Sequence, residues 1–504
     1  MPFLKHGYAI VTTLFLITGL VSAQENMAAE HKVIIGFHEH PDTSWRELIE
    51  ELDGQIYHEY SLIPAVAAKI PAANLAALHH HPLITYVEQD TEIASIEPPY
   101  LSSILSTIAG FSAANTQDEY ALSWGVEHIG SKAVHSRGIT GKGVKIAVID
   151  SGIDYDNEDL DDNYQGGYDF VFNDNDPRDD SFNSHGTHVA GIIAAEKNSI
   201  GAVGVAPEAS LYALKVLTSF GSGLTSDIVA AIQWAVDNDM DIINISIAGE
   251  HSDSLKAACD AAYNAGLLIV AAAGNTNGQP TSYPASYSSV IAVTATDKDN
   301  NLASFAPTGP EVELSAPGMS IYSTARTPNN YGTLDGTSQA APHVAGLAAL
   351  ILSSGELKDL NSDGEINNKD LRLELQAAVD DLGDTGKDEL FGYGLVNVGK
   401  AIPPAIQLRL ERTQQWLKGW QAYTMENENY HVSIQNSSLY GMISWISENG
   451  TFRRDLSAVH IFRGYRQQLP QQIDFELDAS NTSFRVIFIP FGKIGSSADI
   501  TITK

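Results

Sequence analysis

Short apolar runs alternate with helix-period segments through the middle of the chain. The runs at 144–149, 210–217, 241–246, 267–272 and 290–295 are each four to eight residues long and rich in Val, Ile, Leu and Ala. Such runs suit strands buried on both faces, and their alternation with helical patterns predicts a parallel sheet with right-handed crossovers over 121–402. A smaller unit precedes it: strand-like runs at 33–37 and 65–70 interleave with helical patterns at 45–52 and 72–81, an α+β arrangement over 31–94. Between them, 95–120 is linker-like, with Pro98-Pro99 and many serines. After 403 the period changes to strict alternation, as at 430–434 and 484–488, which predicts a separate all-β antiparallel domain over 403–504.

The first residues follow another pattern. Lys5 precedes an apolar stretch from 9 to 21, then Val21-Ser22-Ala23, small residues at the spacing of an export signal cut after Ala23. The stretch is shorter than the roughly 20 residues a spanning helix needs, so 1–23 is expected to be a signal peptide and the protein secreted, with no membrane span. With 29 Lys and Arg against 62 Asp and Glu, the formal charge is -33. That balance leaves little to neutralise phosphates, so nucleic acid is not an expected partner, whereas carboxylates suit hard cations. Cys259 is the single cysteine, which excludes an intramolecular disulfide; it sits in a helical pattern as a small core residue.

Four glycine-flanked segments carry the candidate chemistry. Asp150-Ser151-Gly152 follows the run at 144–149, and Ala273-Gly274-Asn275 follows that at 267–272. His185-Gly186-Thr187-His188 and Gly336-Thr337-Ser338-Gln339 each open a helical pattern. In an open parallel sheet, sites form beyond the carboxyl ends of the strands, so all four can meet at one rim. Imidazole can take the proton of a serine hydroxyl, and a carboxylate can hold that imidazole's tautomer and stabilise its cation. The N–H of Ser338 at a helix start and the Asn275 amide would then serve as an oxyanion hole. His188 and His343 are expected to be packing residues, and Asp154 is a weaker rival to Asp150 because it lies past the strand end. The acidic stretch Asp174, Asp176, Asp179, Asp180 reads as a solvated loop.

A second candidate site rests on spacing. Asp359-Leu360-Asn361-Ser362-Asp363-Gly364-Glu365 and Asp370 place oxygen ligands at loop positions 1, 3, 5 and 12, a carbonyl at 7 and glycine at 6, the calcium pattern of an EF-hand. Aspartate stands at position 12 where an EF-hand has glutamate, which resembles the calcium loops of dockerins.

Together, the Asp, His and Ser segments in that order, with the asparagine strand end between the last two, resemble the subtilase family over about 124–400. The resemblance implies a calcium-dependent serine endopeptidase of subtilisin-like fold, acting through an acyl-enzyme on protein and peptide substrates. It implies Asp150, His185 and Ser338 as the triad. It implies a groove with Gly221-Ser222-Gly223 as one edge and Ser246-Ile247-Ala248-Gly249 as the other, and Ala273 and Gly274 beside the pocket. A first calcium site is implied at Asp159 and Asn198, with carbonyls from Glu196, Ile200 and Ala202; the family's further ligand near the mature N-terminus has no match, since Tyr120 falls there. Residues 31–94 resemble the family's ferredoxin-like propeptide, notably Tyr60-Ser61-Leu62 and Tyr86-Val87-Glu88-Gln89-Asp90. They are expected to assist folding, to fill the groove of a monomeric protease, and to be removed by a cut within 95–120. Two departures stand out. Ala248 replaces a common glycine and should narrow the pocket, and Gln339 replaces a common methionine, leaving no thioether to oxidise. A non-enzymatic adhesion or scaffold protein would not need the intact triad. An esterase would show Gly-x-Ser-x-Gly and the order Ser, Asp, His, and neither occurs.

Overall fold

The computed structural model describes residues 30–40, 43–95, 118–326 and 330–403, together with the backbone of eight strands between 406 and 503. The expected signal peptide at 1–23 and positions 96–117 of the expected linker lie outside the described residues. The chain divides after Ile402 into two compact units.

The first unit is built on a nine-stranded sheet. Its order is Val379–Asp380, Leu395–Val396, Val312–Pro317, Ile291–Thr296, Leu268–Ala272, Ile242–Ile245, Lys145–Asp150, Ser210–Lys215 and Tyr164–Asp169. Every pairing is parallel except that between the two shortest strands at one end. Alternate residues of one strand enter opposite cores. Ile146 and Val148 pack in the apolar cluster that holds residues of helices His185–Ala194 and Thr337–Ser354. Ala147 and Ile149 pack in the cluster that holds residues of Thr225–Asp237 and Asp253–Asn264. Burial on both faces is why the central strands read as continuous apolar runs. Cys259 is fully buried among them, and burial pushes its thiol up.

All five expected sheet runs are strands, shifted by no more than two residues at either end. Four further strands escape the pattern, two of them, Val379–Asp380 and Leu395–Val396, only two residues long. Tyr164–Asp169 is Tyr-Gln-Gly-Gly-Tyr-Asp, with no apolar run; a Cβ on Gly167 would lie 1.8 Å from the Ala213 carbonyl oxygen, so the glycine admits the neighbouring strand. Val312–Pro317 carries Glu313, whose buried carboxylate is held by Arg372 at 2.5 and 2.7 Å.

Residues 30–95 form a strand-helix-strand-strand-helix-strand unit. Its antiparallel sheet runs Gln55–Glu59, Ala65–Pro71, Glu30–Phe37, Ile84–Gln89, with helices Thr43–Glu51 and Leu75–Leu78. The helix expected over 72–81 is only the one-turn Leu75–Leu78. Two prolines bound the segment, Pro71 ending the preceding strand and Pro82 following, and each disfavours helix in the residue before it. The second unit holds two four-stranded antiparallel sheets.

Candidate active site

The strand Lys145–Asp150 ends with a fully buried carboxylate at the carboxyl rim of the sheet. Asp150 Oδ1 accepts the Ser151 N–H at 2.7 Å and lies 2.8 Å from His185 Nδ1. His185 is the first residue of its helix and is 2 % exposed. A Cβ on Gly186 would lie 2.2 Å from the Gly152 carbonyl oxygen, so only glycine lets the helix start approach the strand end this closely. Asp154, the weaker rival, pairs with Arg178 at 2.8 Å.

Ser338 is the second residue of helix Thr337–Ser354 and fully buried. Pro342, four residues on, has no N–H to give the Ser338 carbonyl. The Ser246 hydroxyl donates to that carbonyl instead, at 2.9 Å, while the Ser338 hydroxyl donates to the Ser246 carbonyl at 3.0 Å. This exchange ties the start of helix Thr337–Ser354 to the chain at Ser246. Asn275 Oδ1 accepts the N–H and hydroxyl of Thr337 at 3.0 and 3.1 Å, which turns the NH2 end of the amide away from Thr337. Thr337 Oγ1 also bonds both backbone groups of Gly274, and Ser282 N–H donates to the Ala273 carbonyl. His188 and His343 bond the Ile321 and Gln339 carbonyls; burial lowers their imidazoles to about 3 and about 4, so both are neutral packing residues.

The two expected groove edges are separate strands with a third strand of the same chain between them. Glu92–Ser95 pairs antiparallel with Ile247–Ala248 on one side and with Ser222–Leu224 on the other. Ser95 lies opposite Ile247, next to Ser246, and its N–H donates to the Gly221 carbonyl at 2.8 Å. A Cβ on Gly249 would lie 2.8 Å from Ile93 Cγ2 and one on Gly221 2.5 Å from Ser95 Oγ, so both glycines clear room for the intervening strand. Gly223 instead makes room for Val216. Ile93 is 3 % exposed, buried in the core beneath.

The acidic stretch is not a uniformly solvated loop. Asp179 is 1 % exposed and bonded on both oxygens, and Asp180 pairs with the buried Lys215 at 2.7 Å. Asp174 and Asp176 do remain in exposed hydrogen bonds.

At the first implied calcium site, Asp159 is buried and its carboxyl is pushed up to about 6 by desolvation. It accepts the Asn198 side-chain N–H at 2.8 Å and the Ala202 N–H at 3.0 Å. Among the described residues no hydrogen bond reaches the carbonyl oxygens of Glu196, Ile200 or Ala202, which leaves those three oxygens for a hard cation, whereas Asn198 Oδ1 accepts the Ile200 N–H at 2.9 Å and its NH2 faces Asp159. Glu119, which motif reading missed, reaches this loop: its carboxylate accepts the Ser199 N–H at 2.7 Å, and burial raises it. Tyr120 turns elsewhere, to His135 at 2.9 Å. In the second loop Asp359, Asn361 and Asp363 accept N–H groups of their own turn, Glu365 is exposed, and Asp370 accepts those of Leu360, Asn361 and Asn367. Gly364 has φ +91°, the turn that position 6 requires. Among the described residues no three His, Cys, Asp or Glu side chains gather as a metal cluster.

A profile of the subtilase family matches residues 141–394. Subtilisin J of Geobacillus stearothermophilus is 38% identical over 409 residues, covering 79% of this chain and 97% of that protein. Subtilisin E of Bacillus subtilis is 39% identical over 411 residues, 78% of this chain and 98% of the relative. The minor extracellular protease Epr of Bacillus subtilis is 40% identical over 385 residues, 76% of this chain but only 56% of that protein. No helix among the described residues is long and apolar enough to cross a membrane.

Proposed function

Because the chain belongs to the subtilase family and is a serine-type endopeptidase, we propose that Asp150, His185 and Ser338 are its triad, working at the groove between 221–224 and 246–249. The observation that carries this reading is the 2.8 Å contact between His185 and a fully buried Asp150, at the rim where Ser338 opens its helix. His185 takes the Ser338 proton as the hydroxyl oxygen attacks the substrate carbonyl. Asp150 holds the Nδ1–H tautomer and stabilises the imidazolium that forms. The Ser338 N–H and the Asn275 amide stabilise the oxyanion. The imidazolium then protonates the leaving amine, and water, activated by the same base, releases the acyl group. Substrate lies extended between the two edges as an added strand, and Ala248, Ala273 and Gly274 wall the pocket for the residue before the cut.

Residues 31–94 act as an inhibitory propeptide. The strand Glu92–Ser95 fills the groove in the place of substrate, and removal follows a cut within 95–120. Export follows from the signal pattern at 1–23, and residues 403–504 form a further β domain. Asp159 and Asn198, with the carbonyls of Glu196, Ile200 and Ala202, hold one calcium ion, and the 359–370 loop holds a second. Bound calcium supplies positive charge that offsets the desolvated carboxylates and braces the loops. Ser338→Ala tests the catalytic assignment: the secreted variant should lose casein hydrolysis by about 10⁴-fold or more in kcat, and a folded variant that retained activity would end it.

A further inference from the structure

We propose that Asp179 is a positioning residue for the catalytic pair: its buried carboxylate clamps the strand end bearing Asp150 to the helix start bearing His185. The inference rests on the triad assignment above. Asp179 Oδ1 accepts the Ser151 hydroxyl at 3.0 Å, the Ser181 N–H at 2.9 Å and the Ser181 hydroxyl at 2.6 Å. Oδ2 accepts the Thr187 N–H at 3.1 Å and its hydroxyl at 2.6 Å. Five donors therefore converge on one carboxylate that is 1 % exposed.

The partners are the neighbours of the catalytic residues. Ser151 follows Asp150, and its hydroxyl oxygen accepts the Gly186 N–H at 2.9 Å, one residue after His185. Ser181 Oγ accepts the His185 N–H at 3.2 Å. Thr187 Oγ1 accepts the Asp154 N–H at 3.0 Å, closing the turn after the strand. Three backbone segments meet so closely here that a Cβ on Gly152 would lie 2.5 Å from the Pro177 carbonyl oxygen. Lys215 adds a brace from below: its ammonium donates to the Ser151 carbonyl and to Asp180, each at 2.7 Å.

Only a carboxylate satisfies this donor set. Two backbone N–H groups, those of Ser181 and Thr187, approach opposite oxygens, and an amide can accept on one side alone. Asp179→Asn therefore leaves a buried N–H unpaired beside either Ser181 or Thr187. The side chains of Ser151 and Thr187 touch no reacting atom in this arrangement; they set where Asp150 and His185 stand, and a misplacement of about 1 Å can cost roughly 10²-fold in rate.

The test compares Asp179→Asn with the milder Ser151→Ala, which keeps the carboxylate but removes its link to Asp150 and Gly186. Both are read in the product that each full-length chain yields on secretion, with active sites counted by phosphonyl fluoride titration. Per titrated site, kcat on a peptide amide should fall about 10- to 100-fold for Asp179→Asn and about 5-fold for Ser151→Ala, with KM within about twofold. The low-field proton resonance of the His185–Asp150 bond should broaden or shift in both while near-ultraviolet circular dichroism stays native. If Asp179→Asn does not fold, Ser151→Ala decides alone. A folded variant with kcat within about twofold of wild type and an unmoved resonance overturns the proposal. Loss of activity in Ser338→Ala is unaffected by that outcome, so the two readings fail separately.

Discussion

The catalytic rim and the surface where residues 30–95 meet the same block are both rich in buried polar contacts, but they are wired differently. At the rim the partners come from one block: Asp150 with His185, Asp179 with Ser151, Ser181 and Thr187, Ser246 with Ser338. At the other surface two carboxylates from the N-terminal unit bind the starts of two helices, of which one has no capping side chain of its own and the other is already capped by Ser252. Asp90 accepts the Ser226 N–H at 2.9 Å at the start of Thr225–Asp237, whose own N-cap residue, Leu224, has no capping side chain. Glu88 accepts the N–H groups of Asp253 and Ser254 at 2.8 and 3.1 Å at the start of Asp253–Asn264. Water can take over those N–H groups when the segment departs, because they lie at a surface. The donors around Asp179 are instead buried, so water cannot replace them without opening that network. The difference teaches that one network suits permanence and the other release.

Breaking the rim should have the larger effect. Asn275→Leu removes a donor from the proposed oxyanion hole, along with the acceptor of the Thr337 N–H, and kcat should fall by about 10²–10³, a magnitude established on a subtilisin, a relative of this chain. A variant with KM changed and kcat intact would place Asn275 in substrate binding instead. At the release surface, Glu88→Gln with Asp90→Asn should weaken inhibition by the 30–95 segment by about 10- to 100-fold, since the two charge-assisted caps together contribute roughly 1.4–2.7 kcal/mol. Inhibition unchanged in a slow-processing background would show that the strand Glu92–Ser95 alone holds the segment.

The groove itself lies between the two regions. Ala248→Gly removes the methyl expected to narrow the pocket, and kcat/KM for Phe over Ala before the cut should rise about 10-fold; an unchanged ratio would remove Ala248 from the pocket wall.

Asp159 sharpens the contrast through pH. It accepts from Asn198 and Ala202 where Asp179 has five donors; desolvation raises both acids, and holds the folded Asp159 carboxyl at about 6 against an ordinary 3.8. A folded acid raised in this way binds its proton more tightly than the unfolded chain does. Without calcium, stability should therefore rise as pH falls from about 6 toward 4. Calcium needs the ionised form, so the Tm increment between saturating calcium and chelator should be roughly 5–10 °C at pH 8 and shrink below pH 6. A constant increment from pH 8 to 5 would place the ion elsewhere.

Periodicity alone determined the central parallel sheet, because strands buried on both faces must be apolar along their length. The motif order determined which residue types arrive at its rim, because strand ends and helix starts are local features. Only tertiary structure chose between chemically equal candidates. Asp150 meets His185 while Asp154 meets Arg178, and Asp179 is a buried acid and Asp174 a surface acid within one acidic stretch. Glu119 reaches a loop 80 residues away. Those outcomes depend on which distant segments pack together, and neither spacing nor period carries that information.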